Sequence, residues 1–192
     1  MPRKTDSRAK ALATAEQLFR TQGYAATGLA QIIAESGSPK GSFYFHFPDG
    51  KLQMAQEALA AYAGRVAAFI QTLPAGTPPD AATLIQQLFA AIAAEMQAAD
   101  HRLGCLVQNL AHEQVEPAGV LAAPLAEAIA LWEAQLAARL VACGLAPAAA
   151  RPRARAIILL LEGARTIARI ERSDAAFTLA ARLACADLDA AG

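Results

Sequence analysis

Length, composition and charge set the first limits on this chain. It has 192 residues, of which 55% are hydrophobic and 18% are charged, and its formal net charge is zero. Such a chain can bury a sizeable core. Its three cysteines are far apart and form no CxxC motif, which argues against a disulfide framework or a zinc site. No apolar run approaches the roughly 18 residues that a membrane span requires, so a reducing cytoplasm is the expected compartment.

Charge is distributed unevenly along the chain. Residues 1–51 hold seven lysines and arginines against four acidic residues, a net charge of +3, and the remainder therefore carries −3. We call the N-terminal part the head and the remainder the body. A mildly basic head and an acidic body are typical of a protein whose head contacts phosphate groups and whose body does not. Alanine is abundant, β-branched residues are scattered, and no window alternates apolar and polar residues. The predicted fold class is therefore all-α.

Near the N-terminus the pattern predicts three helices. The first covers residues 6–22, where apolar residues recur at helical spacing. A second, short helix follows over residues 27–35, with Thr27 available to cap its start. Gly37 can take the positive φ that closes a helix, and Pro39 suits the first position of the next one. Two short helices joined by a glycine-containing turn predict a helix-turn-helix.

The second helix of this motif carries side chains that suit DNA. Phe43 and Phe47, four residues apart, are expected to dock it on its own domain. In a recognition helix the early residues reach base edges and flanking polar groups hold phosphates. The alternative is a small helical hairpin with a solvated polar face. The predicted phosphate anchors are Thr27, Lys40, Tyr44, His46 and Lys51, the residues predicted nearest the bases are Ser38, Lys40 and Ser42, and Pro39 and Gly41 complete the predicted interface.

Long helices are predicted for the rest of the chain. One helix over residues 50–72 joins head to body, and a proline- and glycine-rich linker follows over 73–79. Asp80 is expected to cap the next helix. The remaining helices are predicted over residues 80–99, 103–116, 120–143, 147–172 and from 173 or 174 to about 188.

The last two predicted helices carry much apolar surface for a chain of this length. Residues 157–161 are apolar on every side, which indicates a segment that is buried all round. We therefore predict a homodimer formed through a four-helix bundle of these helices, with burial inside one chain as the alternative. Two heads related by a two-fold axis would read palindromic half-sites about 34–36 Å, or a multiple of that distance, apart.

A resemblance to a known family rests on the turn and the helix after it. The run Gly37-Ser38-Pro39-Lys40-Gly41-Ser42-Phe43-Tyr44-Phe45-His46-Phe47, followed by Lys51, resembles the helix-turn-helix signature of TetR-type transcriptional regulators. The tripeptide before Lys51 is one residue longer than the commonest spacing. The resemblance implies a DNA-binding domain over residues 1–49 and a ligand-binding and dimerisation domain over residues 50–192. It also implies a repressor that leaves its operator when an effector binds the body.

A second, shorter resemblance concerns the trigger. The run Gly104-Cys105-Leu106-Val107, with residues 161–165 and 169–172, resembles a subgroup that includes the repressor of N-ethylmaleimide reductase and acrylate-responsive repressors. In part of that subgroup the cysteine matching Cys105 senses electrophiles or oxidants. Such a sensor needs a helix N-terminus or a cation beside the thiolate. The alternatives are a cysteine that packs as a small hydrophobe and a pocket that binds a small ligand reversibly.

Polar residues in apolar surroundings complete the predicted effector site. They are Gln108, Asn109, Trp132, Glu162 and Arg165. Glu162 and Arg165 are equally interpretable as a structural ion pair between helices. No metal site is expected, because His101 and His112 do not share one helical face, and no cofactor is expected. The competing functions are an all-α redox protein or enzyme that works through Cys105 and a dimeric interaction module without DNA.

Overall fold

The computed structural model describes residues 4–114, 119–186 and 188, and every regular element in that part of the chain is an α-helix. The predicted all-α class is therefore confirmed. The helices are α1 (Lys4–Gln22), α2 (Leu29–Ser36), α3 (Lys40–His46), α4 (Gly50–Thr72), α5 (Ala81–Ala98), α6 (Leu106–Gln114), α7 (Ala122–Ala142), α8 (Pro147–Glu171) and α9 (Ala175–Cys185). None of these helices is long and apolar enough to cross a membrane.

Internal contacts divide the chain into two compact units. The first holds residues 1–63 and 105–128, and the second holds residues 64–104 and 129–192. Consequently α6 belongs to the same unit as the helix-turn-helix, although about 60 residues of sequence separate it from α3. The predicted boundary after residue 49 separates a DNA-binding part from a ligand-binding part by function, whereas these units are defined by contacts. The predicted boundary therefore stays a prediction.

The core of the first unit is built around aromatic rings. Phe19, Phe43 and Phe47 are fully buried, and the ring centroids of Phe43 and Phe47 lie 5.4 Å apart. The guanidinium of Arg8 lies over the Phe47 ring at 5.1 Å and also pairs with Glu57 at 2.5 Å. The prediction that the two phenylalanines dock α3 on its own domain is confirmed.

The start of α2 differs from the prediction. Its N-cap is Gly28, in an extended conformation, and no side chain caps this helix. The hydroxyl of Thr27 is turned away from α2 and donates to the carbonyl oxygen of Gly23 at 2.6 Å. The prediction that Thr27 caps α2 is wrong, because its hydroxyl closes the turn after α1. At the other end of α2, Gly37 has the predicted positive φ, at 64°.

Other helix ends follow the sequence signals closely. The side chain of Asp80 accepts a hydrogen bond from the backbone N–H of Thr83 at 2.7 Å, as the predicted cap requires. Hydrogen bonds from the side chain and then the backbone of Thr83 lower the pKa of Asp80. Pro147 opens α8 in the favoured first turn. Helix α6 begins three residues later than predicted, and α9 ends at Cys185. The predicted end of α6 at residue 116 and the predicted break at 117–118 lie outside the described residues.

In the second unit, α8 and α9 pack together and leave one side open. Ile157 and Ile158 are buried, but Leu159 is 66% exposed. Residues 157–161 are therefore not buried all round within one chain, and their predicted burial in a homodimer stays a prediction. A groove of about 400 Å³ runs along the two helices. We call this surface the α8–α9 face and define it by Leu159, Gly163, Ile167, Leu179 and Leu183, which all line that groove.

Candidate nucleic-acid interface and effector residues

Helix α3 has one open side. Lys40 and Gly41 are exposed, Tyr44 is 48% exposed, and Phe45 is 77% exposed. A Cβ added at Gly41 would meet no atom within 4 Å, so the backbone there is accessible from outside. We call this surface, formed by Lys40, Gly41, Tyr44 and Phe45, the reader face. Pro39 is exposed at the start of the helix and Ser42 is half-buried beside the face.

Other predicted DNA-binding side chains take part in packing. Thr27 is fully buried, and the hydroxyl of the buried Ser38 donates to the carbonyl oxygen of Ser7 at 3.1 Å. The His46 ring lies edge-on to Phe45 and Phe47, and its Nε2 atom is buried without a hydrogen-bond partner among the residues that the structure describes. Contacts of the Thr27 and Ser38 side chains with DNA would require these buried groups to move, whereas His46 is half-buried with only its Nε2 atom enclosed.

Lys51 holds the turn between α1 and α2. Its ammonium donates to the carbonyl oxygens of Tyr24 at 2.9 Å and Thr27 at 3.0 Å, and lies 4.1 Å from the centroid of the Tyr24 ring. The Tyr24 ring in turn packs 5.4 Å from Phe19, and burial raises the pKa of its hydroxyl. An ammonium has three donors. Two of them are therefore directed at the turn, which leaves one for the predicted phosphate contact.

Helix α6 contacts the end of α1 through Asn109. The side-chain amide of Asn109 donates to the carbonyl oxygens of Phe19 at 2.9 Å and Arg20 at 3.0 Å. Both belong to the last turn of α1, whose final carbonyls have no partner within the helix. Asn109 was predicted as an effector residue. In the structure its side chain instead supports the end of α1, next to the helix-turn-helix.

Glu113, one turn further along α6, contacts the turn that follows α1. Its carboxylate accepts a hydrogen bond from the backbone N–H of Ala25. Gly23 has a φ of 91°, and a Cβ at this position would overlap Oε1 of Glu113. Glycine is thus required here for two reasons, its backbone conformation and the carboxylate beside it. Sequence reasoning missed this role of Glu113, because nothing in its local pattern indicates a partner some ninety residues earlier.

Cys105 and Gln108 also belong to the first unit. Cys105 is 1% exposed and directly precedes α6, and its carbonyl oxygen accepts the first helical hydrogen bond, from the N–H of Asn109 at 3.0 Å. The residue thus occupies the N-cap position, beside the positive end of the helix dipole. That is one of the two environments predicted for a reactive thiolate. Gln108 is half-buried in the first turn of the same helix.

The other predicted effector residues lie in the second unit. Trp132 and Arg165 are buried and Glu162 is half-buried. Nη1 of Arg165 lies 3.6 Å from Oε2 of Glu95, which joins α8 to α5. This pair supports the interpretation of Arg165 as part of an ion pair between helices. No group of three or more histidines, cysteines or acidic residues within the described ranges is arranged to hold a metal ion.

Two family models match this chain, one over the helix-turn-helix and one over the helices that follow it. Residues 11–58 match the family model described as bacterial regulatory proteins, tetR family. Residues 81–183 match the model described as transcriptional regulator LmrA/YxaF-like, C-terminal domain. The second match alone covers more than half of the chain.

Individual proteins show the same relationship. The HTH-type transcriptional regulator YxaF of Bacillus subtilis is 35% identical over 163 residues, which are 85% of each chain. LmrA of the same organism is 63% identical over 54 residues, which are 28% of this chain and 29% of LmrA. The crystal structure of regulatory protein TetR from Rhodobacter sphaeroides shares the fold, with a TM-score of 0.81 and 22% identity, over 93% of this chain and 96% of that one. The chain therefore belongs to the TetR family of DNA-binding transcriptional regulators, which are not enzymes, and its body is of the LmrA/YxaF-like type.

Proposed function

We propose that this chain is a homodimeric repressor that binds a palindromic operator through α2 and α3 and leaves it when its body binds or reacts with an effector. The observation that carries the proposal is the reader face. The buried pair Phe43 and Phe47 fixes one side of α3, while Lys40, Gly41 and Tyr44 remain exposed around it. A short helix with such a face fits the major groove, which admits one α-helix.

Contacts with phosphate follow from the exposed donors. Lys40 supplies a charge at the start of α3, and Tyr44 supplies an exposed hydroxyl. The half-buried Lys51 has one ammonium proton that is not used by the carbonyl oxygens of Tyr24 and Thr27. The bare backbone of Gly41 allows close approach. Ser42 and Pro39 complete the surface, whereas Thr27, Ser38 and His46 act by holding the motif in shape.

The α8–α9 face supplies the proposed dimer contact. Its aliphatic side chains are exposed in one chain, with Leu159 at 66%, Leu179 at 51% and Leu183 at 53%. Contiguous apolar surface of this kind is a mark of an interface. Gly163 and the alanines that line the same groove allow another helix pair to approach closely. A second copy of α8 and α9 is the proposed partner, which forms a four-helix bundle.

Effector response is proposed to pass through α6. Asn109 and Glu113 tie this helix to the last turn of α1 and to the turn before α2. An effector that displaces α6, by binding near Cys105 or Gln108, would therefore disturb the support on which the reader face rests. In the second unit, Trp132, Glu162 and Arg165 are the residues proposed to contact an effector.

The test of this function is a footprint of the purified protein on the DNA upstream of its own gene. We expect a protected palindrome whose half-sites lie one helical turn, or a multiple of it, apart. Fluorescence anisotropy on that duplex then gives the affinity and its dependence on salt. Failure to bind the upstream DNA or any duplex selected from a random pool would contradict the proposal and would favour an interaction module without DNA.

A covalent trigger is a second candidate, and the position of Cys105 at the start of α6 favours it. Addition of an electrophile to the thiolate would insert bulk where the side chain is 1% exposed, and so displace α6. Burial raises the pKa of the thiols of Cys143 and Cys185, which makes these two cysteines poorer nucleophiles at neutral pH.

The electrophile experiment uses the footprinted duplex with N-ethylmaleimide. We expect N-ethylmaleimide to release the wild type from the duplex, and likewise a variant that carries Cys143→Ser and Cys185→Ser. The Cys105→Ser variant should stay bound to the duplex. Mass spectrometry of the released protein should show one adduct, on Cys105. Equal release of the wild type and Cys105→Ser would remove the thiol from the mechanism and leave reversible effector binding.

A further inference from the structure

Phe45 is the most exposed large apolar side chain among the described residues. Its side chain is 77% exposed, and its ring lies edge-on to the His46 ring with centroids 5.4 Å apart. A phenyl ring contains no hydrogen-bond donor or acceptor for water. Its position on the reader face therefore calls for an apolar partner on whatever the face binds.

Helix geometry explains why this ring points outward. An α-helix turns 100° per residue, so Phe45 lies about 200° around the axis from both Phe43 and Phe47. Those two rings are buried at 1% and 0% exposure. Their docking forces Phe45 to the opposite side, one turn after Gly41. Because Gly41 has open space around it, α3 can enter a groove deeply with the Phe45 ring reaching towards the base edges.

The major groove offers one apolar group to such a ring. Its base edges present hydrogen-bond donors and acceptors, together with the C5-methyl group of thymine. We infer that Phe45 of each protomer contacts a thymine C5-methyl group, so that each half-site of the operator carries a thymine at one fixed position. This inference rests on the proposed function and adds a base preference to it.

The first experiment removes the methyl group from the DNA. In the footprinted duplex, each thymine is replaced singly by deoxyuridine, which keeps the same pairing edge and lacks only the methyl. The wild type should bind thymine more tightly than deoxyuridine at one position in each half-site, and the two-fold axis should relate these two positions. Affinity should fall there by about fourfold, as expected for one buried methyl-sized group.

The second experiment removes the ring from the protein. Phe45→Ala should weaken binding to the thymine duplex by about tenfold and should bind the deoxyuridine duplex equally well, because its partner is gone. Phe45→Leu should retain part of the preference for thymine. Tyr44→Phe is the matched control, since it alters the neighbouring exposed aromatic but leaves Phe45 in place, and it should keep the full preference.

The outcomes separate this inference from the function on which it rests. Alanine at an exposed helical position leaves no cavity, so the circular dichroism spectrum and melting temperature of Phe45→Ala should match the wild type. Discrimination at no thymine, or an unchanged preference in Phe45→Ala, would overturn the inference while operator binding stands. A wild type that binds no duplex would overturn the proposed function and this inference together.

Discussion

The reader face and the α8–α9 face both expose apolar side chains, but they differ in what surrounds those side chains. On α3 one phenylalanine stands among a lysine, a tyrosine and bare backbone. On α8 and α9, leucine, isoleucine, glycine and alanine line one groove, with Glu171 as its charged member. The first composition suits a partner that is charged and hydrogen-bonding, and the second suits another aliphatic surface. The exposure of an apolar group therefore does not by itself identify the kind of partner. The residues around that group indicate which kind of partner it suits.

The largest effect is expected from a charge in the α8–α9 face. Leu179→Lys would place an ammonium in the centre of the proposed bundle, where desolvation without a counter-ion costs several kcal/mol. We expect the dimer dissociation constant to rise by more than about 100-fold and operator affinity to fall with it, because one head meets one half-site. Sedimentation equilibrium measures the first quantity. Val141→Glu, which alters an exposed apolar residue on α7, is the control and should stay dimeric; a dimeric Leu179→Lys would contradict the interface.

A second, smaller effect concerns the support behind the reader face. Asn109→Ala leaves the carbonyl oxygens of Phe19 and Arg20 without the amide that now serves them. Loss of such partners costs about 1–3 kcal/mol. We expect the free energy of unfolding in urea to fall by that amount, whereas His112→Ala, on the same helix and exposed, should change little. Equal unfolding curves for the two variants would mean that Asn109 contributes no support.

On the reader face itself, Lys40→Ala tests the charge. We expect about tenfold weaker operator binding at low salt and a shallower dependence of affinity on salt, by about one phosphate contact. Discrimination between thymine and deoxyuridine should persist, because Phe45 is untouched. An unchanged affinity and salt dependence would remove Lys40 from the interface and would leave the aromatic residues to carry it.

The smallest effect lies away from both faces, at the cap of α5. The hydrogen bonds from Thr83 lower the pKa of Asp80 in the folded protein, so its carboxylate stabilises the fold at pH values above the unfolded pKa of about 3.9. That contribution disappears as the pH falls through the lower, folded value. Thermal melts of the wild type and Asp80→Ala should therefore differ at pH 7 and converge in strong acid, with dimerisation and DNA binding unaffected at pH 7. A difference that persists below pH 2 would point to a cause other than the carboxylate.

Sequence alone was sufficient where the signal is local. The bounds of α4, the Asp80 cap, the positive φ of Gly37 and the docking role of Phe43 and Phe47 all follow from spacing and residue type. Sequence reasoning assigned Phe45 no role of its own. Its position two residues from each buried phenylalanine was the available signal.

Other features depend on contacts that no local pattern encodes. The position of Thr27 allows its hydroxyl either to cap the start of α2 or to bond to the turn before it. In the structure it donates to the carbonyl oxygen of Gly23. The apolar run at 157–161 predicted burial on every side, but the helices that pack on α8 within the chain leave Leu159 exposed. The roles of Asn109 and Glu113 arise from partners about ninety residues earlier in the chain.

The carboxylate of Glu113 beside Gly23 has a consequence for protein engineering. A chimaera that exchanges only residues 1–49 with those of a relative would separate the turn after α1 from the side chain that completes it. Any donor head with a larger residue at position 23 would then collide with an acid supplied by the recipient. Grafts intended to change operator preference should therefore carry the segment of α6 from Asn109 to Glu113 along with the head, so that the two halves of this contact come from the same parent.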